Sequence, residues 1–180
     1  MLWVRAFVFS VLVPGSVAIW VPLELIGFRT PSDGFWQLGW ILFVFGVAIY
    51  IRCLRNFVAA GGTPMIFFAQ PLKSIVGSEP RRLVQTDFYR YSRNPMYLAV
   101  LTIVLGEAIA FRSAQIAIYC VVILVVFHLV VTLIEEPHLR ARDGAAYELY
   151  CRQVPRWIWF SASPKRTGTT LERRPGSEVR

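Results

Sequence analysis

Apolar residues in this chain come in long unbroken blocks, without the two-residue alternation of strands or the one-sided stripe of soluble helices. The first block covers residues 3–28 and is interrupted by Pro14, Pro22 and Glu24. The second covers 35–54, about 20 residues, enough at a helical rise of ~1.5 Å to cross a hydrocarbon layer of ~30 Å. The third covers 95–111 and the fourth 114–134, with only Arg112 and Ser113 between them. So short a link predicts an antiparallel helical hairpin. Asn94 and Pro95 suit its start, as a capping residue and a first helical residue. The blocks predict an all-α, polytopic membrane protein with about four transmembrane helices, folded as a single domain over 1–160. A secretory leader is the competing reading of the first block, with Arg5 ahead of a short apolar stretch and Ser16-Val17-Ala18 as a cleavage site. The apolar character continues past that site, which favours a kinked spanning helix.

The segments between the blocks are uneven. The central one, 55–94, holds Gly61-Gly62-Thr63-Pro64, Pro71 and Pro80, a density of turn residues that excludes another span. Its glycines are not followed by Gly-Lys-Ser/Thr, so they do not form a phosphate loop. Met65 to Phe68 is apolar and is expected to dip into the interface, and a connection this long is expected to be functional. After the fourth block, 137–153 predicts a C-terminal helical segment on the membrane surface. Trp157 and Trp159 beside Arg156 suit the membrane–water boundary. Residues 161–180 are rich in Ser, Thr, Arg, Pro and Gly and predict a disordered tail. There is no internal repeat.

Composition points the same way. Hydrophobic residues make up 56% and charged residues 17%, with a mean hydropathy of +0.51; a soluble domain carries about 25% charged residues. The net charge of +8 would suggest nucleic acid on a soluble protein, but no nucleic-acid-binding motif is present and no such partner is expected. Seventeen of the nineteen Lys and Arg fall on one side when the spans alternate, which predicts that both termini and the central loop are cytoplasmic. Cys53, Cys120 and Cys151 are odd in number and far apart, so neither a disulfide framework nor a metal site is expected. The pattern carries no signature of an oligomeric state.

Two polar groups stand out against this background. One runs Tyr89-Arg90-Tyr91-Ser92-Arg93-Asn94-Pro95-Met96-Tyr97 at the start of the third span; the other is Glu135-Glu136-Pro137-His138-Leu139 at the end of the fourth. A hairpin of two similar spans brings them to the same membrane depth. The helix start at Pro95 offers free N–H groups to a carboxylate or hydroxyl, and Arg93 offers a cation to a carboxylate. Glu135 and Glu136 suit an ammonium or sulfonium, and Tyr91 and Tyr97 offer ring faces to a cation or an adenine. S-adenosylmethionine has all of these parts. Adjacent helical residues point ~100° apart, so one glutamate is expected on the ligand and the other on Arg93 or Arg140. His128 lies seven residues before Glu135, on the same face and deeper in the membrane, where an ionisable residue is a site candidate. The plainer reading makes the arginines charge anchors, the tyrosines interfacial belt residues and His128 a packing residue. Glu24 and Glu107 are read as structural residues near the outer interface, and His138 as solvated.

The same residues resemble a known family. Tyr89 to Leu98 resembles the Pro-Tyr-Arg-Tyr-Val-Arg-His/Asn-Pro-Met-Tyr-Leu signature of the isoprenylcysteine carboxyl methyltransferases and the related phospholipid methyltransferases. Glu135-Glu136-Pro137-x-Leu139, Asp143-Gly144-x-x-Tyr147-x-x-Tyr150 and Val154-Pro155-Arg156-Trp157 resemble its second segment, so the likeness covers about 62–157. It implies a helical membrane methyltransferase that holds S-adenosylmethionine between its last spans and a cytoplasmic C-terminal segment and takes its acceptor from the bilayer. Carried over by position, Arg93, Asn94, Pro95 and Tyr97 fall on the first cofactor segment, Glu135 and Glu136 on the second, and Tyr147 and Tyr150 on the cover. Asn94 stands where many members have His, which removes an imidazole. Asp87-Phe88 replaces Gly-Pro, and Asp143-Gly144 replaces Phe-Gly.

The expectation is therefore an S-adenosylmethionine-dependent methyltransferase with Arg93 and Glu135 as its catalytic pair. Its partners are membrane lipids and a lipophilic or lipidated acceptor. The carboxylate of an isoprenylcysteine-like compound is favoured, since a carboxylate is already a nucleophile and needs no base. The alternatives are a phospholipid or other lipid N- or S-methyltransferase and a non-catalytic membrane interaction protein. A transporter using Glu24, Glu107 and His128 is disfavoured, because the polar residues gather at one level and not along a midplane path.

Overall fold

The computed structural model describes residues 2–26, 36–63, 80 and 83–157, and the regular structure among them is all helical, with no strand. The elements are α1 (Leu2–Leu12), a π-helical turn at Ser16–Trp20, α2 (Val21–Ile26), α3 (Trp36–Ala59) and a 3-10 turn at Asp87–Arg90. They continue with α4 (Pro95–Ala110), α5 (Ala114–Val130), a second π-helical turn at Val131–Glu135, α6 (Glu136–Asp143) and α7 (Ala145–Gln153). Three helical stretches, Leu2–Leu25, Trp36–Ala59 and Ala114–Asp143, are long and apolar enough to cross a membrane, and α4 is a shorter apolar helix. At 16 residues α4 is ~24 Å long. The apolar stretch 65–68, Trp159 and the expected tail 161–180 lie outside the described residues.

Both π turns have the same chemical cause. Each is followed at its second residue by a proline, Pro22 after Trp20 and Pro137 after Glu135. A proline has no N–H for the carbonyl four residues back, and its ring crowds that carbonyl. Widening the preceding turn relieves the clash without breaking the helix. The fourth span therefore runs on past its expected end at 134, through the polar segment to Asp143.

Small residues set how closely the spans pack. A Cβ at Gly39 would fall 2.4 Å from the backbone nitrogen of Ala110 and 2.5 Å from the carbonyl oxygen of Gly106. A Cβ at Gly46 would fall 2.9 Å from the carbonyl oxygen of Ala99. Gly39 and Gly46 are seven residues apart and share one face of α3, so that face lies directly on α4. Ala18, Val100, Ile103, Val104, Ala108, Ile116 and Ile123 form the adjoining core.

The α4–α5 link confirms the expected hairpin. Arg112 takes a left-handed conformation with φ 48°, and the Ser113 Oγ accepts the Ile116 N–H at 3.3 Å to cap α5. The first stretch is tied to the others by tyrosines: Tyr50 Oη donates to Ser10 Oγ at 2.8 Å, and Tyr119 Oη donates to the Val17 carbonyl at 2.9 Å. Large apolar side chains such as Phe7, Ile41, Ile118 and Val125 point outward in the open. Such a surface suits a lipid environment.

At the other end of the bundle, Gly144 (φ 51°) turns the chain so that α7 folds back. Tyr147, Tyr150 and Val154 are buried there against Leu83 and Leu139. The chain then passes beneath the start of α4, where the Arg93 N–H donates to the Pro155 carbonyl at 2.9 Å.

Candidate active site

Arg93 sits two residues ahead of α4 and Glu136 opens α6, so the hairpin and the run-on of the fourth span carry them to one level. Arg93 Nη1 donates to Glu136 Oε1 at 3.1 Å, and both side chains are largely buried. Glu136 is the hub of the cluster. Arg156 grips it with two bonds, Nε to Oε1 at 2.6 Å and Nη2 to Oε2 at 3.0 Å, and Arg140 Nη2 reaches Oε2 at 3.5 Å. A paired fork of this kind fixes orientation as well as charge. Arg93 Nη1 also lies 2.8 Å from Cys151 Sγ and 3.4 Å from the Tyr147 hydroxyl.

The two adjacent acids divide their work. Glu136 is turned into the guanidinium cluster, while Glu135, at the end of the π turn, accepts the Tyr97 hydroxyl. The Tyr97 ring packs against Phe127 at 4.6 Å between centroids, which holds that hydroxyl in place. Asn94 precedes α4, but its side chain does not cap the helix. Its Nδ2 donates to the Arg156 carbonyl at 2.9 Å, and the Asn94 N–H is taken by Ser92 Oγ at 3.1 Å. The Asn94 side chain bonds to the passing C-terminal segment and not to the helix terminus, so the expected cap becomes a tertiary link.

Tyr150 Oη donates to the Tyr89 carbonyl at 2.7 Å, pinning α7 to the segment before α4. Burial pushes both the Tyr147 and Tyr150 hydroxyls above the usual phenol range, with the Glu136 charge adding to the effect at Tyr147. Both are therefore neutral donors at physiological pH.

A cavity of about 190 Å³ opens among these groups. Arg93, Asn94, Tyr97, Glu135, Glu136, Tyr147 and Tyr150 all line it. Apolar residues continue it: Val100 on α4 is five residues beyond Pro95, which is ~7.5 Å deeper along the axis. Phe9, Val13 and Pro14 of the first stretch close it from the side. Three of the sequence-derived candidates stand apart from it. Pro95 is buried as the first residue of α4 and does not line the cavity. Tyr91 is 71% exposed. His128 faces outward, and its Nδ1 accepts the Trp157 Nε1–H at 3.2 Å with the two rings stacked. The Val131–Glu135 turn explains this placement. Each wide turn takes up about one residue more than an α turn, which rotates His128 away from the Glu135 face.

Sequence reasoning passed over Arg156, Cys151 and the first stretch. Arg156 carried a signal, since it lies in the Val154-Pro155-Arg156-Trp157 segment that resembles the family. Phe9 and Val13 carried none, because an apolar residue in a span looks alike whether it faces lipid or a cavity.

A family model described as phospholipid methyltransferase matches residues 36–143. The match takes in Arg93, Asn94, Tyr97, Glu135 and Glu136, and excludes the first stretch and Arg156. No curated protein and no solved structure matches the chain.

Proposed function

The chain belongs to the phospholipid methyltransferase family and is a methyltransferase acting on a lipid-type substrate, and from that premise we propose that the cavity between α4, the α5–α6 junction and α7 is where S-adenosylmethionine and the acceptor meet. The observation that carries the reading is the composition of one cavity: Arg93, Glu135 and Tyr97 at one level, hydrocarbon side chains one to two turns deeper. An amphipathic acceptor matches that order, with its reacting head among the polar groups and its tail in the bundle.

The residues present fit the cofactor. Arg93 Nε is buried and has no hydrogen-bond partner among the described residues. A buried donor left in this state costs ~1–3 kcal/mol, which an amino-acid carboxylate can recover. The Glu135 carboxylate offers the negative charge a sulfonium requires, and the buried Tyr147 hydroxyl offers a neutral donor, while the Tyr150 O–H is held by the Tyr89 carbonyl. When bound, S-adenosylmethionine supplies an electrophilic methyl group and leaves as a neutral thioether. The protein's part is positioning and water exclusion: Glu136 and Arg156 lock Arg93, and α7 covers the polar end.

Two acceptor heads suit the polar end of the cavity. An isoprenylcysteine-like carboxylate is nucleophilic as it stands and loses no proton. A phospholipid amine must be deprotonated; Glu135, held by Tyr97, is the carboxylate in the cavity that can take the proton, and the matched family's description favours this second reading. The asymmetry of Lys and Arg further supports a cytoplasmic position for the polar end and both termini. The test is product analysis after incubating the full chain with methyl-labelled cofactor and both acceptor types. A base-labile methyl ester identifies the carboxylate, and a base-stable N-methyl lipid identifies the amine. Absence of label from every lipid fraction, with no binding of S-adenosylhomocysteine, would remove the proposal.

A further inference from the structure

The family match begins at residue 36, yet Phe9, Val13 and Pro14 line the same cavity as Arg93 and Glu135. The first helical stretch, Leu2–Leu25, carries all three and has two distinct faces. Phe9 is 3% exposed, whereas Phe7 and Val11 are 67% and 54% exposed. One face looks into the bundle, and the other meets lipid.

This wall is held in register. Tyr50, itself on the cavity, donates to Ser10 Oγ at 2.8 Å, and Ser10 Oγ donates to the Ala6 carbonyl at 2.7 Å. Tyr119 secures the next turn through the Val17 carbonyl. The facing surface is Met96 and Val100 on α4, with Val131 at the start of the π turn. The space between the two surfaces is hydrocarbon-lined and continuous with the polar end. The whole cavity, polar end included, is about 190 Å³, of the order of the ~150 Å³ that encloses a benzene-sized guest, so its apolar part takes a segment of one hydrocarbon chain and not a whole diacyl lipid.

We propose that the first helix supplies the specificity wall of the acceptor pocket, with Phe9 and Val13 setting how much of a single hydrocarbon tail the cavity accepts. The proposal rests on the methyl-transfer reading for the tail's identity and adds a selecting element that lies outside the family's matched region. Removing the Phe9 ring enlarges the tail pocket, and adding a ring at Val13 fills it, so the two changes act in opposite directions.

The test uses the full chain in lipid nanodiscs and two graded series of probes, S-alkyl N-acetylcysteines and lysophosphatidylethanolamines. Each probe carries a diazirine at the end of its chain. Adducts formed on illumination are mapped by mass spectrometry, with and without excess unlabelled probe. The expected result is saturable labelling at Phe9 or Val13 in at least one series. Phe9→Ala should raise the long-to-short chain labelling ratio about tenfold, Val13→Phe should lower it by a similar factor, and Phe7→Ala should leave it within about twofold. Labelling confined to the lipid face at Phe7 and Val11, or a ratio that neither pocket variant moves, would overturn the proposal. Binding of S-adenosylhomocysteine is measured on the same samples. If it is absent while saturable labelling persists, the tail pocket stands and the methyl-transfer reading fails.

Discussion

Glu136 concentrates more of the site's electrostatics than any other side chain described. It is a buried carboxylate with guanidiniums from Arg93, Arg140 and Arg156 around it. Removing the acid leaves those cations facing one another, and breaking a buried pair from one side costs ~3–5 kcal/mol. Glu136→Gln should therefore lower stability by about 3 kcal/mol. Glu148→Gln, which removes an exposed partner of Arg140, should change it by less than about 1 kcal/mol. Thermal unfolding in detergent separates these outcomes, and equal shifts would mean that the cluster is not desolvated. At this scale the sequence was readable in part. The division between Glu135 and Glu136 follows from a ~100° helical step. The link from Arg156 to Glu136 spans twenty residues and depends on α7 folding back, which no local pattern encodes. His128 illustrates the opposite failure: a seven-residue spacing implies a shared face only in a regular helix, and the π turn at Val131–Glu135 intervenes.

Among the elements, α3 and α4 make the tightest contact, and α4 carries the site's first half. The contact depends on Gly39 and Gly106 having no side chain: a Cβ at Gly39 meets α4 backbone at 2.4 Å, and backbone cannot rotate away as a side chain can. Gly39→Ala should cost ~1–3 kcal/mol, the range for overpacking a close contact. It should also weaken S-adenosylhomocysteine binding by moving α4. An unchanged unfolding midpoint would show that the two helices are not in register as described. The existence of these helices was legible, because a block of apolar residues of membrane length has few other solutions. Their ends were less so: the fourth stretch continues to Asp143 because a widened turn absorbs Pro137, where the sequence suggests a stop.

For the whole molecule, the chain is an integral membrane methyltransferase whose charged end gathers at one side of an apolar bundle. The proposed cytoplasmic position of that side, which rests on the Lys and Arg asymmetry, has a direct test. A cysteine introduced at exposed Arg90 should react with a membrane-impermeant maleimide in inverted vesicles, and one at exposed Arg112 only in right-side-out vesicles. The reverse pattern would turn the bundle over and put the polar cavity outside the cell. Overall class and the meeting of the two polar segments were legible from block lengths and a two-residue link. The contribution of the first helix was not, since its cavity-facing and lipid-facing residues have the same chemistry.

The most direct measurement is a calorimetric titration of the purified full chain with S-adenosylhomocysteine, repeated for Glu135→Gln and Glu107→Gln. Glu107 is also buried, on α4 near its far end, but it does not line the cavity. Saturable binding to the unaltered protein, weakened about tenfold or more by Glu135→Gln and left within about twofold by Glu107→Gln, is the predicted result, a loss of ~1.4 kcal/mol or more at the first site alone. No binding, or equal weakening by the two substitutions, would contradict the account.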